Sequence, residues 1–274
     1  MPLIRLKPFS AQSIPAHPAL STLQDSSGSP TTNEFVAKAL EEALTFAKGD
    51  VPAFGEPTKK SKGSTAPVAI RTWSRNNNVE HWVARYSRHM GKPENGDADW
   101  DEFNLGLREN HSLNEMAYTP GVTDAVEVCR WDTEQIGTID GWQSANMAVF
   151  EMKHHLPAPL KERVFTILII NGIPVSTTGR SFITLTIPLD LKTTDNSKKV
   201  GSAKYVDSSA VVHAAYVSVE HVYEEADSIV WMMATASDAK GNLPMSVQKL
   251  GVPGAITKDV GLLLSWLAER RSKA

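Results

Sequence analysis

The stretch Glu151–Ile170, EMKHHLPAPLKERVFTILII, decides how this chain folds. It opens with polar residues and two adjacent histidines, breaks at Pro157 and Pro159, and ends in a nearly unbroken apolar run. A metal site, a hairpin and the wall of a cavity are three interpretations of such a stretch. Neighbouring residues of a strand point to opposite faces, so His154 and His155 do not bind one metal ion together. No histidine or cysteine spacing elsewhere is typical of zinc sites, and we expect no metal.

The rest of the chain predicts an α+β domain with a largely antiparallel sheet. An amphipathic helix follows Thr31, whose spacing to Glu34 matches a capping box, and residues 99–118 predict a second, broken helix. The final helix is predicted from Pro253 to Arg270. Between the helices, strand-like segments follow one another at hairpin spacing, which favours antiparallel pairing. These segments are residues 68–75, 81–89, 125–131, 144–155, 162–170, 180–189, 210–223 and 228–237.

Composition is typical of an ordinary globular protein, and the cytoplasm is the expected location. The chain is 41% hydrophobic and 22% charged, with a net charge of -3, so no basic surface for nucleic acid is indicated. One cysteine, Cys129, excludes an internal disulfide framework and fits a reducing compartment. No apolar run reaches the length of about 18 residues that spans a membrane. Residues 1–30 are rich in proline, serine and alanine and lack periodicity, so we predict a disordered tail there and one domain over residues 31–274.

The side chains on the predicted strands favour binding over catalysis. No nucleophile elbow, phosphate-binding loop or dinucleotide-binding loop is present, and nothing indicates a cofactor. Several strands are apolar on both faces, whereas an antiparallel sheet with one wet face alternates. Parts of the sheet are therefore either covered on both sides or line a cavity with polar handles. The candidate ligand-binding residues are Phe150, Met152, Arg163, Phe165, Ile167, Ile169, Phe182, Thr184, Tyr216, Trp231 and Met233.

For several polar residues the sequence allows two different roles. Arg163 either holds a ligand oxygen inside the pocket or anchors a turn through an ion pair with Glu162 or Glu151. Because the other face of its strand is the better pocket wall, Glu151 is expected to face solvent. His111 and Glu115 lie on one predicted helix and form either a catalytic pair or a hydrogen-bond network.

Two stretches resemble a START-related lipid-transfer domain. They are GRSFITLTIPLD at residues 179–190 and VWMMATASDAKGNLP at residues 230–244. In that family the last strand ends in an Asp-x-x-Gly-x-x-Pro turn before the closing helix. The matching residues here are Asp238, Gly241 and Pro244.

The opening stretch also resembles this family. A Pro-Arg-Asp-Phe step typical of the family is matched at Pro159, Arg163 and Phe165, with Val164 in the place of the aspartate. The stretches LRENHSLNEMAYTPG and FEMKHHLPAPLKERVF are similar to a fungal family of START-like proteins whose biological role is unassigned. The resemblance extends over about residues 32–270.

The resemblance implies a helix-grip, START-like fold, in which a curved antiparallel sheet wraps around a long C-terminal helix. The opening stretch then becomes a hairpin on the wall of an internal cavity of roughly 300–1,000 Å³. The implied function is binding or transfer of a lipid, a sterol or a polyketide-like molecule, with transient membrane contact and without a cofactor. The alternatives are a cofactor-free cyclase or isomerase acting on a polyketide-like substrate, and an adaptor domain with a filled core.

Overall fold

The computed structural model describes residues 2–25, 28–175, 179–192 and 199–273. Within these ranges nine strands form one sheet, accompanied by five α-helices. The strands are β1 (Phe9–Ser10), β2 (Val68–Arg75), β3 (Glu80–His89), β4 (Val122–Trp131), β5 (Trp142–His154), β6 (Arg163–Pro174), β7 (Ser181–Asp190), β8 (Val212–Glu225) and β9 (Ser228–Asp238). The helices are α1 (Thr32–Thr45), α2 (Trp100–Leu107), α3 (His111–Tyr118), α4 (Thr133–Ile136) and α5 (Met245–Arg271), and α1 continues into a π-helical turn at Phe46–Asp50.

The sheet is curved and largely antiparallel, as the strand pattern predicts. Its strand order is β2-β3-β9-β8-β7-β6-β5-β4, and each neighbouring pair in this order is antiparallel. The opening stretch of the sequence is the β5–β6 hairpin, in which Met152 pairs with Phe165. β1 adds in parallel beside β7, where Phe9 pairs with Leu189. The fold class predicted from the sequence is confirmed.

Both faces of the sheet are buried, because successive strand residues enter different apolar cores. Leu168 and Ile170 of β6 pack against α1 and the start of the chain. We call this side of the sheet the outer face, and the apolar cluster on it the outer core. Ile167 and Ile169 alternate with them and lie on the opposite side, the inner face. Further along the inner face, α2 and α5 cover Trp231 of β9.

The first residues of the chain pack into the outer core, which differs from the disordered tail predicted from composition. The backbone N–H groups of Leu3 and Ile4 donate to the carboxylate of Glu42 over 2.7 and 2.9 Å. Apolar burial and these hydrogen bonds offset the entropy lost in ordering the segment. Residues 1, 26 and 27 of the predicted tail lie outside the described residues. The buried apolar side chains of this segment are Leu3, Ile4, Phe9, Ala11, Ile14 and Leu20.

The sequence predicted that the final helix begins near Pro253. In the structure it begins at Met245. A proline inside a helix removes one backbone hydrogen bond, so a helix start is the usual interpretation of such a residue. Here Pro244 caps the helix and Pro253 lies inside it. The buried residues of α5 are Gln248, Ile256, Thr257, Val260, Gly261, Leu263, Leu264 and Leu267. The second half of α5 is therefore held on the sheet, whereas the first half, residues 245–255, is only lightly packed.

The packing of the N-terminal segment can be tested by truncating one side chain. Leu20→Ala should lower the free energy of unfolding by about 2–5 kcal/mol, because Leu20 is fully buried in the outer core. Leu250→Ala is the matched control, since Leu250 is 84% exposed, and its effect should stay below about 0.5 kcal/mol. Urea denaturation followed by tryptophan fluorescence measures both values. Equally small effects would show that the segment does not contribute to the core.

Candidate functional site

The predicted ligand-binding side chains of the inner face are divided between two buried clusters and a crevice. Phe182 and Trp231 lie in a cluster under α2 and α5. Thr184 is buried, and its hydroxyl oxygen has no partner among the described residues. Met233 lines a narrow crevice beside α5. The other cluster is an apolar wall of Phe150, Met152, Ile167 and Ile169, with Phe165 and Tyr216 packed against it.

Arg163 anchors the turn that leads into the final helix. Its guanidinium donates to the carbonyl oxygens of Ala239 over 2.9 Å, of Lys240 over 3.3 Å, and of Lys161. The residue is 1% exposed, and a Cβ added at Gly241 would lie 3.3 Å from its Nη2. Arg163 therefore fixes the start of β6 to the β9–α5 turn through backbone carbonyl groups, and not through the ion pair considered from the sequence.

A second buried guanidinium is the central group of the site. Arg85 of β3 is 2% exposed, and its Cζ lies 3.6 Å from the centroid of the Trp231 ring. Its Nη2 is 4.0 Å from Oε2 of Glu220, and the indole of Trp231 donates to the same oxygen over 2.9 Å. Nε and Nη1 of Arg85 have no hydrogen-bond partner in the described part of the chain. Because a buried donor without a partner costs free energy, these atoms favour an acceptor beside them.

His111 provides another hydrogen bond to Glu220. Its Nε2 donates to Oε1 of that carboxylate over 3.0 Å, and both residues are buried. Burial alone would lower the pKa of His111, but the bond to Glu220 leaves that pKa raised. Burial alone would raise the pKa of Glu220, but the hydrogen bond and charge of His111, the charge of Arg85 and the bond from Trp231 leave it lowered. Asn110 has a left-handed φ of 47° and divides the predicted helix into α2 and α3. It is the N-cap residue of α3, whose first residue is His111.

Two further carboxyl groups, carried by the helices, line the same crevice as Arg85. Glu115 follows His111 by one turn of α3, and Asp259 lies on α5. Burial, with a smaller contribution from the charges of Asp259 and Glu220, raises the pKa of Glu115 to about 7. Burial raises the pKa of Asp259 to about 6, against the lowering effect of Arg85. We call Arg85, His111, Glu115, Glu220 and Asp259 the Arg85 cluster.

The Arg85 cluster surrounds a crevice between α3, α5 and the inner face. Its volume is about 40 Å³, which is room for about one water molecule. The sequence predicted a cavity of roughly 300–1,000 Å³ between the final helix and the sheet. The crevice between α3, α5 and the described part of the sheet is smaller than this, so a cavity of the predicted size stays a prediction. The crevice is also lined by Tyr118, Thr119, Tyr216, Ser218 and Met233.

Other acidic, basic and nucleophilic groups lie outside this cluster. Glu151 is fully buried rather than solvent-facing, because its carboxylate accepts hydrogen bonds from the N–H groups of Lys204 and Tyr205 over 2.6 and 3.0 Å. The side chain of His155 is 62% exposed. Burial raises the pKa of the Cys129 thiol to about 12, so it is a poor nucleophile. Among the described residues no group of three or more His, Cys, Asp or Glu side chains is placed to hold a metal ion, and no helix is long and apolar enough to cross a membrane.

Residues 82–267 match the family DUF3074, whose description is 'protein of unknown function'. The chain belongs to that family. No curated protein sequence matches the chain. Human STARD10 is a similar solved structure, 14% identical, with a TM-score of 0.57 and coverage of 85% of this chain and 82% of that chain. Human StAR-related lipid transfer protein 5 is 10% identical, with a TM-score of 0.59 and coverage of 87% and 98%. These likenesses show the START-like, helix-grip fold that the sequence predicted.

The raised pKa of Glu115 predicts a loss of stability as pH rises. The pKa of Glu115 in the folded protein, about 7, lies above the ordinary value of 4.5, so the folded state holds the proton more tightly. The stabilising contribution is therefore complete below the ordinary pKa and is lost as pH rises through the raised one. Glu115→Gln should be more stable than wild type by about 1–3 kcal/mol at about pH 8, and should differ little at about pH 4.

Urea unfolding over a series of pH values measures this difference. Glu41→Gln, at an exposed carboxylate of α1, is the control and should keep the wild-type profile. A Glu115→Gln profile parallel to that of wild type would contradict the assigned pKa.

Proposed function

We propose that the protein binds an apolar molecule that carries one neutral hydroxyl or carbonyl group, between the inner face of the sheet and α5. The observation that supports this proposal is the pair of unpartnered donors on buried Arg85 beside an apolar wall. Tyr216 connects the two features, since its ring centroid lies 5.2 Å from that of Phe165 in the wall and it also lines the crevice. Small-molecule sites usually combine an apolar wall with a few convergent polar groups.

The charges around Arg85 favour a neutral ligand head over an anionic one. Its free nitrogen atoms are donors and require an acceptor oxygen. Glu220 is negatively charged beside them, and Glu115 and Asp259 add negative charge as pH rises through their pKa values. These carboxylates would repel a ligand carboxylate or phosphate in a poorly screened site. A hydroxyl group, in contrast, accepts from Arg85 and donates to a carboxylate.

Ligand entry requires movement, because the crevice holds only about 40 Å³. The first half of α5 is the segment best suited to move. Pro253 interrupts its hydrogen bonding, and the space around Gly251 and Gly254 is open. Val247 and Leu250 are exposed on the same half and suit a transient contact with a membrane surface.

The fold supports a lipid-like ligand class. One similar structure carries the name of a lipid transfer protein, and its fold is the one described here. The free, buried thiol of Cys129 fits the cytoplasm as the place of action. We propose that the protein also transfers its ligand between membranes. Movement of the lightly packed first half of α5 would allow the ligand to enter and leave.

The ligand preference can be tested with a pyrene-labelled fatty alcohol and the fatty acid of the same chain length. Wild type should bind the alcohol more tightly than the acid, because of the carboxylates around Arg85. Arg85→Met should weaken binding of the alcohol about tenfold or more, since a hydrogen bond from a charged donor contributes about 1.5–3 kcal/mol. Arg88→Met, on the same strand with 43% of its side chain exposed, is the matched control and should bind as wild type does. Fluorescence titration gives the affinities, and circular dichroism checks the fold of each variant.

Two results would contradict the proposal. Tighter binding of the acid by wild type would show that the site selects an anionic head. Binding of neither probe, together with no small molecule detected by mass spectrometry of protein purified from its native host, would favour the adaptor alternative.

Stiffening the first half of α5 should slow ligand uptake. Gly251→Ala combined with Gly254→Ala favours the helical state, by about 1 kcal/mol for each replacement, and an added Cβ at either position meets no atom within 4 Å. Stopped-flow mixing with the pyrene-labelled alcohol should therefore show slower association than in wild type, without loss of stability. Gly121→Ala also has open space and serves as the control. Unchanged association in the double variant would place the entrance elsewhere.

One observation favours a second candidate function, acid–base catalysis on a bound carbonyl compound. Glu115 has a pKa of about 7 and lines the same crevice as Arg85, whose free donors would polarise a carbonyl oxygen. A carboxylate with such a pKa takes and returns a proton near neutral pH, which suits a cofactor-free cyclase or isomerase. Glu115→Gln would then keep binding and lose turnover of polyketide-like substrates. A carrier shows no turnover in either protein.

A further inference from the structure

The outer face carries a second pocket, and we propose that it binds a ring-containing apolar molecule with one negative charge. The pocket is a groove of about 670 Å³ between the π-helical turn, the extended segment after it and the sheet. This volume lies within the range of roughly 300–1,000 Å³ that is typical of ligand pockets. The groove shares no lining residue with the crevice of the Arg85 cluster, so this proposal is independent of the function proposed above.

The groove and the Arg85 cluster lie on opposite faces of the same strands. Tyr86 follows Arg85 in β3, and His221 follows Glu220 in β8. Because successive strand residues point to opposite sides, Tyr86 and His221 face outward where their neighbours face inward. Met232, which belongs to the outer core, forms part of the floor of the groove and is 4% exposed.

Aromatic rings line the groove on two sides. The ring centroids of Phe54 and Tyr86 lie 5.4 Å apart, and those of His221 and Tyr223 lie 4.6 Å apart. Phe54 belongs to the extended segment after the π-helical turn, Tyr86 to β3, and His221 and Tyr223 to β8, so the rings come from three separate parts of the chain. Ring faces and edges give favourable contacts to another flat ring. This lining favours a ring-containing ligand.

Lys48 gives the groove a positive charge. It is exposed at the groove and forms no salt bridge within the ranges that the structure describes. Arg180, a second cation at the groove, is paired with Glu224 over 2.6 Å. Burial, together with the charge of Lys48, lowers the pKa of His221 to about 4, so its imidazole is neutral near pH 7. The excess charge of the groove is therefore positive and attracts an anion.

The backbone that carries Lys48 is fixed on both sides. Phe46, at the start of the π-helical turn, is buried with its ring centroid 5.0 Å from that of Trp82. Asp50, at the end of the turn, pairs with Arg75 over 3.3 Å. π-helical turns are rare, and many of them lie at functional sites. The turn that carries Lys48 is thus held by the core at Phe46 and by a surface ion pair at Asp50.

Two fluorescent probes with the same ring system test the proposal. Anilinonaphthalene sulfonate carries one negative charge, and N-phenylnaphthylamine carries none. Wild type should bind both probes and bind the sulfonate more tightly. Lys48→Gln should weaken binding of the sulfonate about three- to fivefold, as expected for a partly exposed charge pair, and leave binding of the neutral probe unchanged. Lys38→Gln, at an exposed position of α1 outside the groove, is the matched control.

A blocking variant and a distant variant complete the experiment. Ala53→Trp introduces a large ring from an exposed position that lines the groove, so both probes should bind at least fivefold more weakly, a loss of about 1 kcal/mol or more. Arg85→Met, on the inner face, should leave binding of the sulfonate unchanged. The proposal is overturned if neither probe binds wild type, if Lys48→Gln and Lys38→Gln behave alike, or if Arg85→Met removes the sulfonate signal while Ala53→Trp keeps it.

Discussion

Burial of the sheet on both of its faces is the constraint on which the rest of this structure depends. In β6, Leu168 and Ile170 enter the outer core while Ile167 and Ile169 enter the inner one. Each such side chain contributes about 1.5–3 kcal/mol when it leaves water, so leaving either apolar face uncovered would cost many kcal/mol. The chain meets this requirement with segments from its two ends: the start of the chain and α1 cover the outer face, and α5 covers much of the inner face.

The Arg85 cluster is an exception to this apolar design. Removing a guanidinium and its neighbouring carboxylates from water costs several kcal/mol unless they pair well. The contacts with Trp231 and Glu220 compensate Arg85 only in part, since two of its nitrogen atoms remain without partners among the described residues. A site that departs from the chemistry of its surroundings in this way is where function is most often located. The groove on the outer face is a different case, because there the charge of Lys48 stays near solvent.

The strands and the apolar wall could be predicted from the sequence, because both follow from local alternation. Phe150, Met152 and Ile167 lie on the inner face for that reason. The Arg85 cluster could not be predicted in the same way, since its members come from β3, α3, β8 and α5 and meet only after folding. A usable signal was present in β8, where Glu220 shares a strand face with the apolar Val222. The composition of the N-terminal segment predicted disorder, and Pro253 predicted a helix start. Both predictions failed because tertiary contacts override these local signals.

The pairing of β1 with β7 has a consequence for the order in which the chain folds. Phe9 lies beside Leu189, about 180 positions later in the sequence. Ribosomes add about 5–20 residues per second, so at least about 10–35 seconds separate the synthesis of the two partners. Throughout that time Phe9 is without the strand that it pairs with in the folded protein, and its side chain is open to chaperones or to neighbouring chains. β1 therefore reaches its final place only after β7 has been made.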